Sequence, residues 1–307
     1  MIEKKNPYIA ILGPTASGKS DLALQLAKRF NGEIICCDSV QMYKHLNIGS
    51  AKPSLEERKA VPHHLFDFLE LDETYDASQY AHKAREVISE VSSRNKLAIV
   101  VGGTGFYYRF LIGDKFHNFP SDARLRKELG QKTNTELMFF LKKFDPERAQ
   151  KIHINDMYRL IRAVELYELT GKTFKENTSK NSTNSFVPFC TIMVSQKRNI
   201  LHDRIKARVQ NMLSKGLIKE VSTLLKMGYS NSLKPLQSIG YKETFDFFLD
   251  KYNKEELEFK IICATRKYAK RQETWNKKIA ADFQVDENTN FEELCKAIKQ
   301  SNINKLF

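Results

Sequence analysis

The sequence predicts an α/β fold of the P-loop type: a parallel sheet flanked by helices, carrying a helical insertion domain. Three observations predict it. Short apolar runs alternate with stretches of helical periodicity over residues 8–105, the pattern of a parallel sheet covered on both faces. The first run opens into "GPTASGKS", a G-x-x-x-x-G-K-S loop leading into a helix. From 120 to 170 the strand signal disappears and only short helical segments are legible.

The elements follow in order. "YIAILG", 8–13, is apolar with β-branched and aromatic residues and ends at glycine, so it reads as a buried strand. After the loop, Leu22, Ala23, Leu26, Ala27 and Phe30 recur at helical spacing, and Asn31-Gly32 stops that helix. "EIICCDS", 33–39, is a second strand, and "KLAIVVGGTG", 96–105, a third, entered from a helix around 77–93. "SDARLRKEL", "TELMFFLKKF", "PERAQKI" and "DMYRLIRAVELYELTG" read as helices, the last capped at Gly171. Residues 175–185 are polar and read as a loop; "FCTIMVS", 189–195, returns to strand. Helices dominate 199–281, and "DFQVD" reads as a final strand. The expected organisation is a catalytic core of 1–115 and 187–307, ending in basic helices, with a helical insertion over 116–186.

Composition narrows the setting. Hydrophobic residues make up 41% and charged residues 28%, which fits a globular chain rather than a disordered one. No apolar run is long enough to span a membrane, and the N-terminus has no signal core, so a cytoplasmic protein is expected. The five cysteines match no zinc or redox spacing and are expected to be reduced. A net charge of +13 attracts polyanions without identifying one.

In parallel sheets ligands sit beyond the carboxyl ends of the strands. Three motifs fall there. In the first, Gly13, Pro14, Thr15, Ala16, Ser17 and Gly18 form a loop whose amides can wrap phosphates. Lys19 adds a point charge, and the Ser20 hydroxyl is the expected Mg²⁺ ligand. In the second, Asp38 ends the second strand; it suits a metal ligand, a general base or simply a turn cap. In the third, Gly102, Gly103, Thr104 and Gly105 let backbone approach a ligand closely, with Thr104 as a donor, or else form a plain turn.

Elsewhere the signals are weaker. His63-His64 lacks partners at metal spacing and is expected to anchor a loop. Arg204 and Arg208, four apart, form either a fork over phosphate or a solvated basic face. "CATRKYAKRQETWNKK", 263–278, interleaves Tyr268 and Trp275 with six basic residues, a pattern suited to nucleic acid and also to an ordinary solvated helix.

Taken together, "GPTASGKS", "DSVQMYKHLNIGSAKP", "VPHHLFDF", "VVGGTGFYYRFL", "NDMYRLIRAVEL", "RIKARVQNML", "SIGYKE" and "CATRKYAKRQETW" resemble, in this order, the motifs of bacterial tRNA dimethylallyltransferases, also called tRNA isopentenyltransferases. The resemblance spans about residues 8–280. It implies that the loop holds the diphosphate of dimethylallyl diphosphate rather than ATP. The acceptor it implies is N6 of the adenosine at tRNA position 37, just 3′ of the anticodon. Diphosphate is then the leaving group.

By the same resemblance Asp38 is the general base, Thr104 touches the reacting region, and Lys19, Arg208 and Mg²⁺ stabilise the leaving charge. The target adenine is flipped into a channel lined by Asp38, Ser39, Val40 and Gln41, with Gln41 as a hydrogen-bond partner. The stretches implied to touch the tRNA anticodon stem-loop are Arg126, then Tyr158, Arg159, Leu160, Ile161 and Arg162, then Gln237, Ser238, Ile239, Gly240, Tyr241 and Lys242. A monomer is implied. Two positions depart from the family habit: Ser20 and Ser50 stand where threonine is frequent, and each keeps a hydroxyl. The chain lacks the zinc-extension pattern of eukaryotic relatives, which implies a bacterial-type enzyme.

Three other functions use parts of this pattern. A small-molecule kinase would use the loop and Asp38 but leave the basic helix idle. A prenyltransferase acting on free adenine nucleotides would have little use for the insertion. A non-enzymatic nucleic-acid binder would leave Lys19, Asp38 and Thr104 without a task.

Overall fold

The structure, a computed structural model, describes residues 7–113, 119–178 and 186–301. It divides into two compact units, Met1–Ile112 with Val187–Phe307, and Gly113–Phe186.

In the first unit the chain runs β1 (Tyr8–Leu12), α1 (Lys19–Arg29), β2 (Gly32–Cys36), α2 (Leu55–Ala60), β3 (His63–His64), α3 (Ala77–Ser93), β4 (Leu97–Gly102) and α4 (Gly105–Leu111). After the second unit it resumes with β5 (Cys190–Val194), α10 (Arg198–Ser214), α11 (Leu217–Lys226), a 3₁₀ turn (Lys234–Gln237), α12 (Tyr241–Phe248), α13 (Lys254–Asn276), β6 (Phe283–Val285) and α14 (Phe291–Gln300). The second unit holds α5 (Ala123–Leu129), α6 (Asn134–Phe144), α7 (Pro146–Ala149), α8 (Met157–Thr170) and α9 (Phe174–Thr178).

The six strands form one sheet in the order β3-β2-β4-β1-β5-β6, and every neighbouring pair is parallel. Strands β1, β2, β4 and β5 are buried along their whole length. That is why they read as continuous apolar runs rather than alternating ones. Register places the motifs together: Leu12 pairs with Gly102 and Met193, and Cys36 pairs with Val101. The loops after β1, β2 and β4 therefore leave the sheet side by side.

One face of the sheet packs Ile9, Ile11, Ile34, Ile99 and Ile192 against Ala23, Leu26 and Ala27 of α1 and Leu294 and Ile298 of α14. The second unit has its own core, with Leu137, Met138 and Leu141 of α6 against Leu160 and Val164 of α8. Gly171 caps α8 at φ 64°, and Gly171 N donates to Tyr167 O at 2.7 Å.

Several elements differ from the sequence reading. Strand β2 stops at Cys36: Cys37 N still donates to Val101 O, and the chain then turns at Asp38, whose Oδ1 accepts from Val40 N. Strand β3 escapes notice because two histidines carry no strand pattern. The polar stretch expected as a loop from 175 begins inside α9, nucleated by Thr173 and Glu176 side-chain hydrogen bonds; 179–185 lies outside the described residues. Helices α2 and α14 were not expected, although Ser54–Glu57 forms a capping box and Asn290 caps α14.

Candidate active site

Backbone geometry builds the first loop. Ala16 at φ 62° and Gly18 at φ 94° turn the chain so that α1 starts at Lys19. Gly13 is required by proximity, since a Cβ there would lie 2.5 Å from Val194 O. The Lys19 ammonium folds back to donate to Pro14 O at 3.1 Å. Gln196 and Arg204 donate to Ser17 O at 3.2 and 3.1 Å, which ties the loop to β5 and α10. Two loop amides are committed within the protein: Thr15 N donates to Gln272 Oε1 at 2.8 Å and Ser17 N to Pro14 O at 3.3 Å.

Lys19, Ser20, Asp38, Gln41, Arg208 and Tyr268 line one cleft. Desolvation, reinforced by the Arg208 guanidinium and opposed by Asp38, pushes the Lys19 ammonium down to about 8. Arg208 is lowered too, by burial first, with Asp38 acting against it. Two cations gathered beside one carboxylate form a pocket built for an anion carrying more than one charge. Arg204 and Arg208 thus divide the work, one holding the loop backbone and the other entering the cleft.

Asp38 sits where β2 turns. Its Oδ1 accepts from Val40 N at 2.9 Å and Gln41 N at 3.4 Å, so the turn-cap reading describes one of its oxygens. Among the described residues nothing hydrogen-bonds to Oδ2. Thr104 lies against the same turn, with Ser39 N reaching its Oγ1 at 3.4 Å. Tyr268 lies in the same cleft, where burial and nearby Asp38 push its phenol up to about 12. The glycines are needed for close packing: a Cβ on Gly102 would lie 1.9 Å from Cys37 O, and one on Gly103 2.1 Å from Gln272 Nε2.

Gln41 is held rather than free. Its Nε2 donates to Ser50 O at 3.0 Å and Ala51 O at 3.1 Å, and its Oε1 accepts from Cys36 Sγ at 3.8 Å. That loop is pinned by Glu220 of α11, which accepts from Asn47 N, Ile48 N and Gly49 N. Lys52, Asp67 and Arg58 brace its far side. His64 pairs with Glu33 at 2.6 Å and His63 Nδ1 meets Val61 O at 2.7 Å. Among the described residues no cluster of three or more His, Cys, Asp or Glu could hold a metal ion. The buried cysteines Cys36, Cys37, Cys190 and Cys295 are free thiols, as is Cys263.

Of the residues expected at tRNA, Tyr158 is 71% exposed and Arg159 extends outward beside Asp156. Arg126 and Arg162 instead converge on the buried Glu165. Two of these side chains are buried. The Leu160 side chain lies in the core of the second unit, and the Tyr241 ring is buried against Gly49 with its hydroxyl on Glu220. Helical spacing alone groups Leu160 with Val164, a signal that could have placed it inward. Gln237 and Lys242 are exposed; Ser238 and Ile239 are partly buried and Gly240 is buried. On α13, Lys267, Lys270 and Arg271 face solvent, while Gln272 and Asn276 are buried. Trp275 lies under Arg109 at 5.5 Å and Lys278 at 5.8 Å. Tyr268, Gln272 and Glu220 were not singled out for these contacts because their partners are far away in sequence.

The fold and this cleft define a P-loop-type α/β protein with a helical insertion and a polar site at the carboxyl ends of its strands. The chain belongs to the IPP transferase family, whose model matches residues 41–279. It is 41% identical over 300 residues to the tRNA dimethylallyltransferase of Thermoanaerobacter sp. (strain X514), covering 94% of this chain and 95% of that one. The tRNA dimethylallyltransferase of Acetivibrio thermocellus is 41% identical over 301 residues, 95% of this chain and 96% of its own. Among solved structures, the full-length tRNA isopentenylpyrophosphate transferase of Bacillus halodurans superposes with a TM-score of 0.70 at 33% identity, covering 98% of this chain and 97% of that chain. A eukaryotic dimethylallyltransferase acting on tRNA gives 0.83 at 28% identity, covering 97% and 80%.

Proposed function

We propose that this protein transfers the dimethylallyl group of dimethylallyl diphosphate to N6 of the adenosine just 3′ of the tRNA anticodon, releasing diphosphate. One observation carries the reading: Asp38, after β2, shares a single cleft with Lys19, after β1, and with Arg208 of α10. The N6 lone pair attacks the allylic C1 while the C1–O bond breaks and its electron pair leaves on the diphosphate. The N6 proton passes to Asp38. Adenine N6 is a poor nucleophile because its lone pair is delocalised into the ring, so a positioned base matters. Lys19, Arg208 and the loop amides stabilise the charge gathering on the diphosphate. Thr104, held against the Asp38 turn by Ser39 N, contacts the reacting region.

Mg²⁺ suits this site as an ion held mostly by substrate. It commonly takes one or two protein ligands and completes its shell with phosphate oxygens and water. Ser20, exposed in the cleft beside Lys19, would be its protein ligand, and the ion would add positive charge at the diphosphate. The anticodon stem-loop is expected on the exposed side chains of Tyr158, Arg159, Gln237 and Lys242. The target adenine leaves its stack to reach Asp38, Ser39, Val40 and Gln41. No helix among the described residues is long and apolar enough to cross a membrane. We expect a monomer working in the cytoplasm.

The test offers purified protein dimethylallyl diphosphate and Mg²⁺ with either AMP or tRNA, followed by nucleoside analysis. N6-dimethylallyladenosine in tRNA and not in AMP is the expected result. Prenylated AMP, or consumption of ATP in place of the five-carbon donor, overturns it.

A further inference from the structure

Gln272 occupies an inward position near the C-terminal end of α13, at 5% exposure. Its carboxamide makes two unlike hydrogen bonds. Oε1 accepts from Thr15 N at 2.8 Å, and Nε2 donates to Gly103 O at 2.8 Å. Thr15 belongs to the loop after β1 that carries Lys19 and Ser20. Gly103 belongs to the loop after β4 that carries Thr104. One side chain therefore bridges the loop expected at the leaving diphosphate and the loop expected at the reacting carbon. Gly103 is shaped for this contact, since a Cβ there would collide with the amide nitrogen. Tyr268, one turn earlier on the same helix, lines the same cleft as Lys19 and Asp38.

We propose that Gln272 is a positioning residue for prenyl transfer: its carboxamide sets the spacing between the phosphate loop and the Thr104 loop. It thereby couples both loops to α13, whose outer face carries Lys267, Lys270 and Arg271. The proposal rests on the function proposed above. The amide places a donor and an acceptor on one rigid fork at these two atoms at every pH in the working range. An ionised glutamate offers acceptors alone and would set oxygen against Gly103 O. A protonated glutamate restores both bonds. Loop displacements of about 1 Å are enough to cost about 100-fold in rate.

The experiment compares wild type, Gln272→Met and Gln272→Glu in transfer kinetics between pH 5.5 and 8.5, with tRNA affinity and pyrophosphate affinity measured by titration. Gln272→Met is expected to lower kcat about 10- to 100-fold at every pH, with tRNA affinity within about twofold of wild type. Gln272→Glu is expected to be similarly impaired at high pH and to recover relative to wild type as pH falls. A Gln272→Met kcat within twofold of wild type, or a Gln272→Glu to wild-type ratio that stays flat with pH, overturns the proposal. If wild type itself transfers nothing, the functional reading fails separately. Gln272 is then judged by pyrophosphate: weaker binding in Gln272→Met supports its hold on the loop, and equal binding refutes it.

Discussion

Tyr241 donates its hydroxyl to Glu220 Oε1 at 2.7 Å, and that same carboxylate receives the backbone N–H groups of Asn47, Ile48 and Gly49. A single side chain on α11 thus holds the loop whose Ser50 and Ala51 carbonyls orient Gln41. Charge-assisted bonds of this kind contribute about 1.5–3 kcal/mol each before their mutual dependence is counted. Glu220→Ala should therefore lower stability by about 2–4 kcal/mol, read as a reduced denaturant midpoint at unchanged slope. Transfer activity should fall with it. Glu220→Gln, which keeps one acceptor, should lie between.

Asp38 both caps a turn and faces the cleft, and the two tasks can be separated. Asp38→Asn keeps an oxygen for Val40 N and should fold with a near-native melting temperature. Transfer should drop by about 10²–10⁴-fold, the range typical of a lost general base. Asp38→Ala should lose activity similarly and also about 1 kcal/mol of stability with the cap. Near-native turnover in Asp38→Asn would remove the base assignment.

Lys19 is the group most exposed to pH. Its ammonium titrates near 8 in the folded protein against 10.5 unfolded, because burial and Arg208 oppose the charge. The folded state therefore binds fewer protons than the unfolded state between these values, and stability rises with pH across that window. The penalty is fully present below about pH 8 and is relieved above it. Lys19→Met should abolish this dependence and stabilise the ligand-free protein at pH 7 by on the order of 2–3 kcal/mol. Donor binding needs the charged form, so the KM for dimethylallyl diphosphate should climb as pH passes 8. A KM flat from pH 7 to 9.5 would contradict this.

Lys242 and Arg162 should respond differently to neutralisation. Lys242 is exposed on α12, so Lys242→Gln should weaken tRNA binding and reduce its salt slope by about 0.7–0.9, with no change in melting. Arg162 shares the buried Glu165 with Arg126, and Asp122 N donates to that carboxylate at 2.7 Å. Glu165→Ala strands two guanidiniums and should cost about 3–5 kcal/mol. Arg162→Gln should therefore lower the melting temperature as well as affinity. Equal salt slopes for wild type and Lys242→Gln would exclude Lys242 from the tRNA surface.

Local patterns made much of this protein legible. Continuous apolar runs marked β1, β2, β4 and β5, since strands buried on both faces need no alternation. Loop spacing placed Gly13 through Ser20 at a helix start, and strand ends placed Asp38 and Thr104 beside it. Residue order across the chain pointed to the family. Strand β3, two residues long and polar, had no pattern to read.

What the sequence determined by itself was therefore each element's type and the chemistry available at each strand end. Tertiary structure decided which side chains meet. Gln272 stands 257 positions from the amide it accepts from, and Glu220 stands 171 positions from Gly49. No periodicity spans such distances. Leu160 and Tyr241 look like surface recognition residues within their motifs, and packing turns both inward. Period and propensity act over a few residues, whereas hydrogen-bond partners are chosen by strand order and helix placement.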